Sequence, residues 1–302
     1  MEKNFNVDDI KKLYSAFISL CDYIEYDISC NNCPLWETMC GADDRTSVDE
    51  FCKALARIRS IADIPDNPRP TAYKSDNDNH DYSENNLHIR VNAFKLWAKL
   101  NYPEITEEND NGEWCCCHAY DEMISSVLNF IKNNSVKKAT KQVIDDLLYA
   151  IARDNEGSCI MIELEKYNEW FSLLCRQSLK TNYTNAKWQF AEYLSNYKGN
   201  DNLQELIYDF LVVEDEYTQR LALKSLAYIY PEQAEQYAIT FWERKKFEAG
   251  TFEDEYQKIM VLHVLYQIHS PKLNDYLELA EQSNYKYLKI NAQEIRKNIQ
   301  RA

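Results

Sequence analysis

The stretch 215–229, DEYTQRLALKSLAYI, returns 39 residues later as 254–268, DEYQKIMVLHVLYQI. Two further segments align with this pair without gaps, so that Asn185–Tyr197, Tyr217–Ile229, Tyr256–Ile268 and Tyr287–Ile299 form one series at offsets of 32, 39 and 31 residues. Three of the four begin with Tyr. The sixth position holds Phe190, Ala222, Val261 and Ala292, and the thirteenth holds Tyr197, Ile229, Ile268 and Ile299. Each segment follows another amphipathic stretch, over 168–180, 201–212, 232–247 and 272–282, and an earlier pair is expected within 139–166. Pro231 and Pro271 stand where helices should start, since the first helical turn tolerates a missing N–H. A single helical pair cannot bury both of its apolar faces, so pairs repeated at this spacing are expected to stack around a continuous core.

Composition points the same way. The 302 residues include only five glycines, scattered singly, which is too few for the φ > 0 turns of a sandwich, a barrel or a Rossmann sheet. Isolated glycines also exclude the GxGxxG and GxxxxGK[ST] phosphate cradles. The expected fold class is all-α: a right-handed α-solenoid of helical pairs preceded by an N-terminal helical hairpin.

Three stretches are expected along the chain. Residues 1–62 read as the hairpin, with apolar side chains from Ile10 to Ile28 on one helix face and a Ser47/Glu50 capping box opening the second helix. Residues 63–86 read as an acidic linker, with Pro65, Pro68 and Pro70 followed by SDNDNHDYSENN. Residues 87–302 read as the repeat domain, with a helical lead-in over 87–135 and the repeats over 137–302. In the lead-in, helices are expected over 87–100 and 120–133, with an Asn111-Gly112 turn between them.

The spacing, the paired helices and the small or branched residue at the sixth position of three of the four segments resemble HEAT repeats. LLYAIARDNEG, NAKWQFAEYL and the two opening stretches look like bacterial HEAT-type proteins, some of which are similar to immunity proteins of polymorphic toxin systems. NYPEITEENDNGEWCCCHAYDEMISSVLNFI resembles the lead-in of the same group, and the cysteine-bearing hairpin is unassigned by it. The resemblance implies no catalytic residues. It implies a non-catalytic protein-binding scaffold, an immunity or inhibitor protein that sequesters a toxin or other effector as a monomer or in a 1:1 complex.

The formal charge of −15 repels nucleic acid and anionic lipid and favours a basic partner. Acidic residues outnumber basic ones by 11 to 7 over 1–62, 13 to 6 over 63–135 and 25 to 21 over 136–302. The opening MEKNFNVDDIKKLY lacks the apolar core of a secretory leader, and no run reaches membrane-spanning length, so a cytoplasmic setting with reduced or metal-bound thiols is expected.

In that setting Cys30-x2-Cys33-Pro34, Cys40 and Cys52 have the composition of a four-thiolate structural zinc site. Thiols packed in a helical core and a redox-active loop are the competing readings. Cys115-Cys116-Cys117-His118 is read as packing, because consecutive side chains diverge. Asp145-Asp146 and Glu214-Asp215-Glu216 are read as helix starts or exposed faces, placed against the helix dipole.

The second helix of each pair is expected to line a concave face. Its outward positions make up the contact set: Lys187, Trp188 and Glu192; Gln219, Arg220 and Lys224; Lys258 and His263; and Lys289. Trp188 and Arg220 share one repeat position, which Ile259 and Ile290 fill later. Inter-repeat packing of Trp188 and a turn carboxylate for Arg220 are the alternatives. Two other functions are set beside the scaffold: a metal-binding regulatory or DNA-acting protein like the alkyl-base glycosylases, and a mobile-element inhibitor of a host defence.

Overall fold

A computed structural model describes residues 82–102, 117–199 and 202–301 of the chain. Contacts divide the chain into Met1–His80 and Asp81–Ala302, and all described residues belong to the second unit. The expected hairpin over 1–62 and the Asn111-Gly112 turn lie outside the described residues, as does all of the expected linker except its last five positions.

The described residues are all-α. They form twelve α-helices and three 3₁₀ turns, with no strand among them. In chain order these are α1 Glu84–Asn101, α2 His118–Asn133, α3 Lys141–Arg153, α4 Cys159–Leu164, α5 Asn168–Ser178 and α6 Thr184–Tyr193. The second half holds α7 Ile207–Phe210, α8 Glu216–Ile229, α9 Pro231–Glu243, α10 Phe252–Gln267, α11 Leu273–Gln282 and α12 Lys286–Arg301. No helix among these residues is long and apolar enough to cross a membrane.

Local chemistry sets the helix starts. The side chains of Ser83, Thr140, Asp215 and Thr251 accept the backbone N–H three residues on and so cap α1, α3, α8 and α10. Pro231 is the first residue of α9, as expected. Pro271 instead lies in the turn before α11, which begins at Leu273. The 201–212 stretch is also broken: a 3₁₀ turn over Asn202–Leu206 precedes the single-turn α7.

Packing follows a regular rule. The helices α1, α3, α6, α8, α10 and α12 form a ladder in which each touches the next. The others flank it: α2 packs on α1 and α3, α5 on α3 and α6, α7 on α6 and α8, α9 on α8 and α10, and α11 on α10 and α12. The repeated segments lie on the last four ladder helices. Their sixth-position residues Phe190, Ala222, Val261 and Ala292 are all fully buried, which is what a shared interior position requires. The thirteenth position is less regular, since Tyr197, Ile229 and Ile268 are half-buried and Ile299 is 44% exposed.

Polar side chains lock neighbouring rungs by completing each other's helix ends. Gln189 on α6 donates its amide to the Ile151 carbonyl near the end of α3, at 2.6 Å. Ser225 on α8 donates to the Glu192 carbonyl near the end of α6, at 2.9 Å. Glu255 on α10 accepts the N–H groups of Tyr287 and Leu288 in the first turn of α12. A helix-end N–H or C=O left without a partner is costly to bury, so these contacts join α3 to α6, α6 to α8 and α10 to α12. Asp154 works in the same way at a corner: it is fully buried and accepts from the Ile160 N–H at 2.6 Å and the Tyr120 hydroxyl at 2.8 Å.

Candidate partner-binding face

The first residue of the repeat is Tyr217 on α8, Tyr256 on α10 and Tyr287 on α12, and these tyrosines are 40%, 36% and 43% exposed. Their recurrence at equivalent positions of successive ladder helices makes an aromatic edge. Phe252, 65% exposed, stacks on Tyr256 with centroids 6.0 Å apart. Trp188 closes the other end, edge-on to Tyr217 at 5.2 Å. Arg220 lies between two rungs, its guanidinium carbon 4.8 Å from the Tyr217 centroid and 5.1 Å from that of Tyr256. Such stacking restrains a planar cation and both rings together.

Behind the edge lies a half-buried charged cluster. Glu216 sits 3.2 Å from the Arg220 Nε as an ion pair rather than an aligned hydrogen bond. Burial pushes the Glu216 carboxyl up to about 7, against the opposing pull of Arg220. Burial also draws Arg244 down to about 10, with Glu216 opposing. Arg244 lies over the Phe241 ring at 3.4 Å and donates to the side-chain carbonyls of Gln219, at 2.6 Å, and Gln257, at 2.8 Å.

The residues expected to meet a partner divide between surface and interior. Gln219, expected to point outward, is 1% exposed; its amide donates to the Val213 carbonyl and its carbonyl accepts from Arg244. Trp188 is 7% exposed and donates to Asn185 Oδ1 at 3.0 Å, which matches its packing alternative. Arg220 has its carboxylate partner in Glu216. Glu192 and Lys224 pair with each other at 2.8 Å, and Lys258 pairs with Asp254 at 2.6 Å. His263 is exposed and 2.9 Å from Asn291, while Lys187 and Lys289 are half-buried. The exposed tyrosines and Phe252 were not in the expected set. Three of the four repeats beginning with Tyr was the signal for the tyrosines, and Phe252 falls outside the aligned positions.

One of the acidic residues expected at a helix start or an exposed face is interior. Asp146 is fully buried, with His88 Nδ1 at 2.8 Å, the Gln142 amide at 3.1 Å and Lys95 at 4.0 Å. Burial raises its carboxyl, and His88 opposes that rise. Glu216 opens α8, a helix start as expected, and is half-buried. The Cys30, Cys33, Cys40 and Cys52 candidates lie outside the described residues, as do Cys115 and Cys116. Cys117 is half-buried at the start of α2, and His118 lies 3.4 Å from Glu122. Among the described residues no three His, Cys, Asp or Glu side chains converge as metal ligands do.

No family model, curated protein or solved structure matches the chain.

Charge is divided between the two sets of helices. On the flanking side, α5 carries Glu169 and Arg176, and the 3₁₀ turn with α7 carries Glu205 and Asp209. There, α9 adds Glu232, Glu235 and Glu243, and α11 adds Asp275, Glu278 and Glu281. These helices hold nine acidic side chains against one basic, whereas ladder helices α6, α8, α10 and α12 hold six against nine. The near-balance of the repeat region therefore hides an acidic excess on these flanking helices.

Proposed function

We propose that the chain is a non-catalytic protein-binding scaffold, a right-handed α-solenoid of HEAT-like pairs whose aromatic edge takes a protein partner. The ladder with its flanking helices is the contact pattern such a stack requires. One observation carries the functional reading: Tyr217, Tyr256 and Tyr287 are exposed in register with the repeat, with exposed Phe252 stacked on Tyr256. Aromatic and arginine side chains supply most of the energy of protein interfaces when water is excluded from them. The Arg220, Lys224 and Lys258 charges are already met by carboxylates, which favours a protein over a phosphate backbone.

An immunity or inhibitor role, cytoplasmic and 1:1 with a basic toxin or effector, is the specific form of this reading. The overall charge of −15 supports it by steering a basic partner. The test is affinity capture of the same partner by wild-type protein and by the Tyr217→Ala/Tyr256→Ala/Tyr287→Ala variant, with folding checked by circular dichroism. Capture by the wild type and loss in the folded variant is expected. Equal capture by both, or no partner at physiological salt, would sink the reading.

A further inference from the structure

The acidic flanking helices contain a groove of their own, between the turn preceding α7 and the start of α9. Tyr208 and Tyr230 line it with rings inclined by only 13° and centroids 5.9 Å apart. The Tyr208 hydroxyl donates to Gln233 Oε1 at 2.6 Å, which fixes that ring across the two elements. Glu205 and Asp209 also line the groove; both are exposed, and neither is in an ion pair among the described residues.

We propose that this groove seats a lysine or arginine side chain of a basic protein segment, and that the flanking helices are the docking face for that segment. Electron-rich rings beside carboxylates that make no ion pair among the described residues are complementary to an ammonium or guanidinium group. The acidic excess of nine to one extends over four successive flanking helices, which suits an extended cationic chain better than a small cation. Arg176 lines the same groove and is the one basic residue of those helices, so its charge works against the ligand. This surface lies on helices other than those of the aromatic edge, so the failure of either reading leaves the other standing.

The experiment measures the anisotropy of labelled octalysine and octaglutamate against the full-length protein at physiological salt. Octalysine binds and octaglutamate does not. The Glu205→Gln/Asp209→Asn variant weakens octalysine by about five-fold or more. Glu253→Gln/Glu294→Gln removes the same charge from ladder helices and changes binding by less than about two-fold. Arg176→Gln tightens binding. Tyr208→Leu, with folding confirmed by circular dichroism, weakens it while leaving the charge unchanged. Equal losses in the two charge variants would reduce the effect to attraction by net charge and overturn the proposal, as would the absence of octalysine binding. Displacement of octalysine by an equal concentration of spermine would overturn the assignment to a protein segment.

Discussion

Glu255 on α10 reaches the first turn of α12, where its Oε1 accepts the Leu288 N–H at 3.0 Å and that of Tyr287 at 2.6 Å. Glu255 is 6% exposed, so the carboxylate serves as a buried N-cap supplied from another rung. Glu255→Ala leaves two donors without a partner inside the protein and should cost roughly 1.5–3 kcal/mol in chemical denaturation. Glu255→Gln keeps an acceptor and should cost less. Equal losses in the two variants would mean that packing, not capping, joins the rungs.

Glu216 makes stability fall as pH rises. Its carboxyl is raised from 4.5 to about 7 in the fold, chiefly by burial, so the folded protein holds this proton more tightly than the unfolded chain. The contribution is fully present below pH 4.5 and is lost as pH climbs through about 7. Urea midpoints compared at pH 5 and pH 8 should drop less for Glu216→Gln than for the wild type. Other buried carboxyls raised by burial, Asp146 and Asp154, slope the same way, so the difference between the two proteins is the readout.

His269 ends α10 in the left-handed region, at φ 53°. The next N–H, of Ser270, bonds back to the Leu265 carbonyl at 2.9 Å, as in a Schellman cap. A Cβ is strained there, so His269→Gly should raise stability by about 0.5–1 kcal/mol. A lower melting temperature in the glycine variant would show that the imidazole makes a stabilising contact outweighing that strain.

The ladder was legible because an interior position recurs at a fixed place in each repeat, and all four sixth-position side chains are buried. The N-caps at Ser83, Thr140, Asp215 and Thr251 are also local, although only Asp215 falls at an expected helix start. Burial of acidic groups is not local. Asp146 looked like a surface residue until α1, 58 residues upstream, brought His88 against it. Gln219 was misread because its neighbours are Val213 and Arg244, and the Arg244 loop has no counterpart in the alignment. The charge division was hidden by summing along the chain, since ladder and flanking helices alternate in sequence and the sum averages them. The tyrosines were visible as letters, but their exposure depends on how far the ladder helices extend past one another.

The His88–Asp146 contact ties the lead-in helix α1 to α3 and can be tested as a pair. His88→Ala removes one partner of a fully buried carboxylate and leaves it the Gln142 amide and a lysine at 4.0 Å. A buried charge that loses a hydrogen-bond partner keeps its desolvation cost, so this variant should lose about 1–3 kcal/mol. Replacing both partners with apolar groups removes the charge that needed solvating. The double variant His88→Ala/Asp146→Leu should therefore recover part of that loss, although Lys95 and Gln142 then lose their acceptor. Chemical denaturation of the wild type, both single variants and the double variant gives the coupling directly. Losses that simply add across the cycle would show that the two side chains act independently.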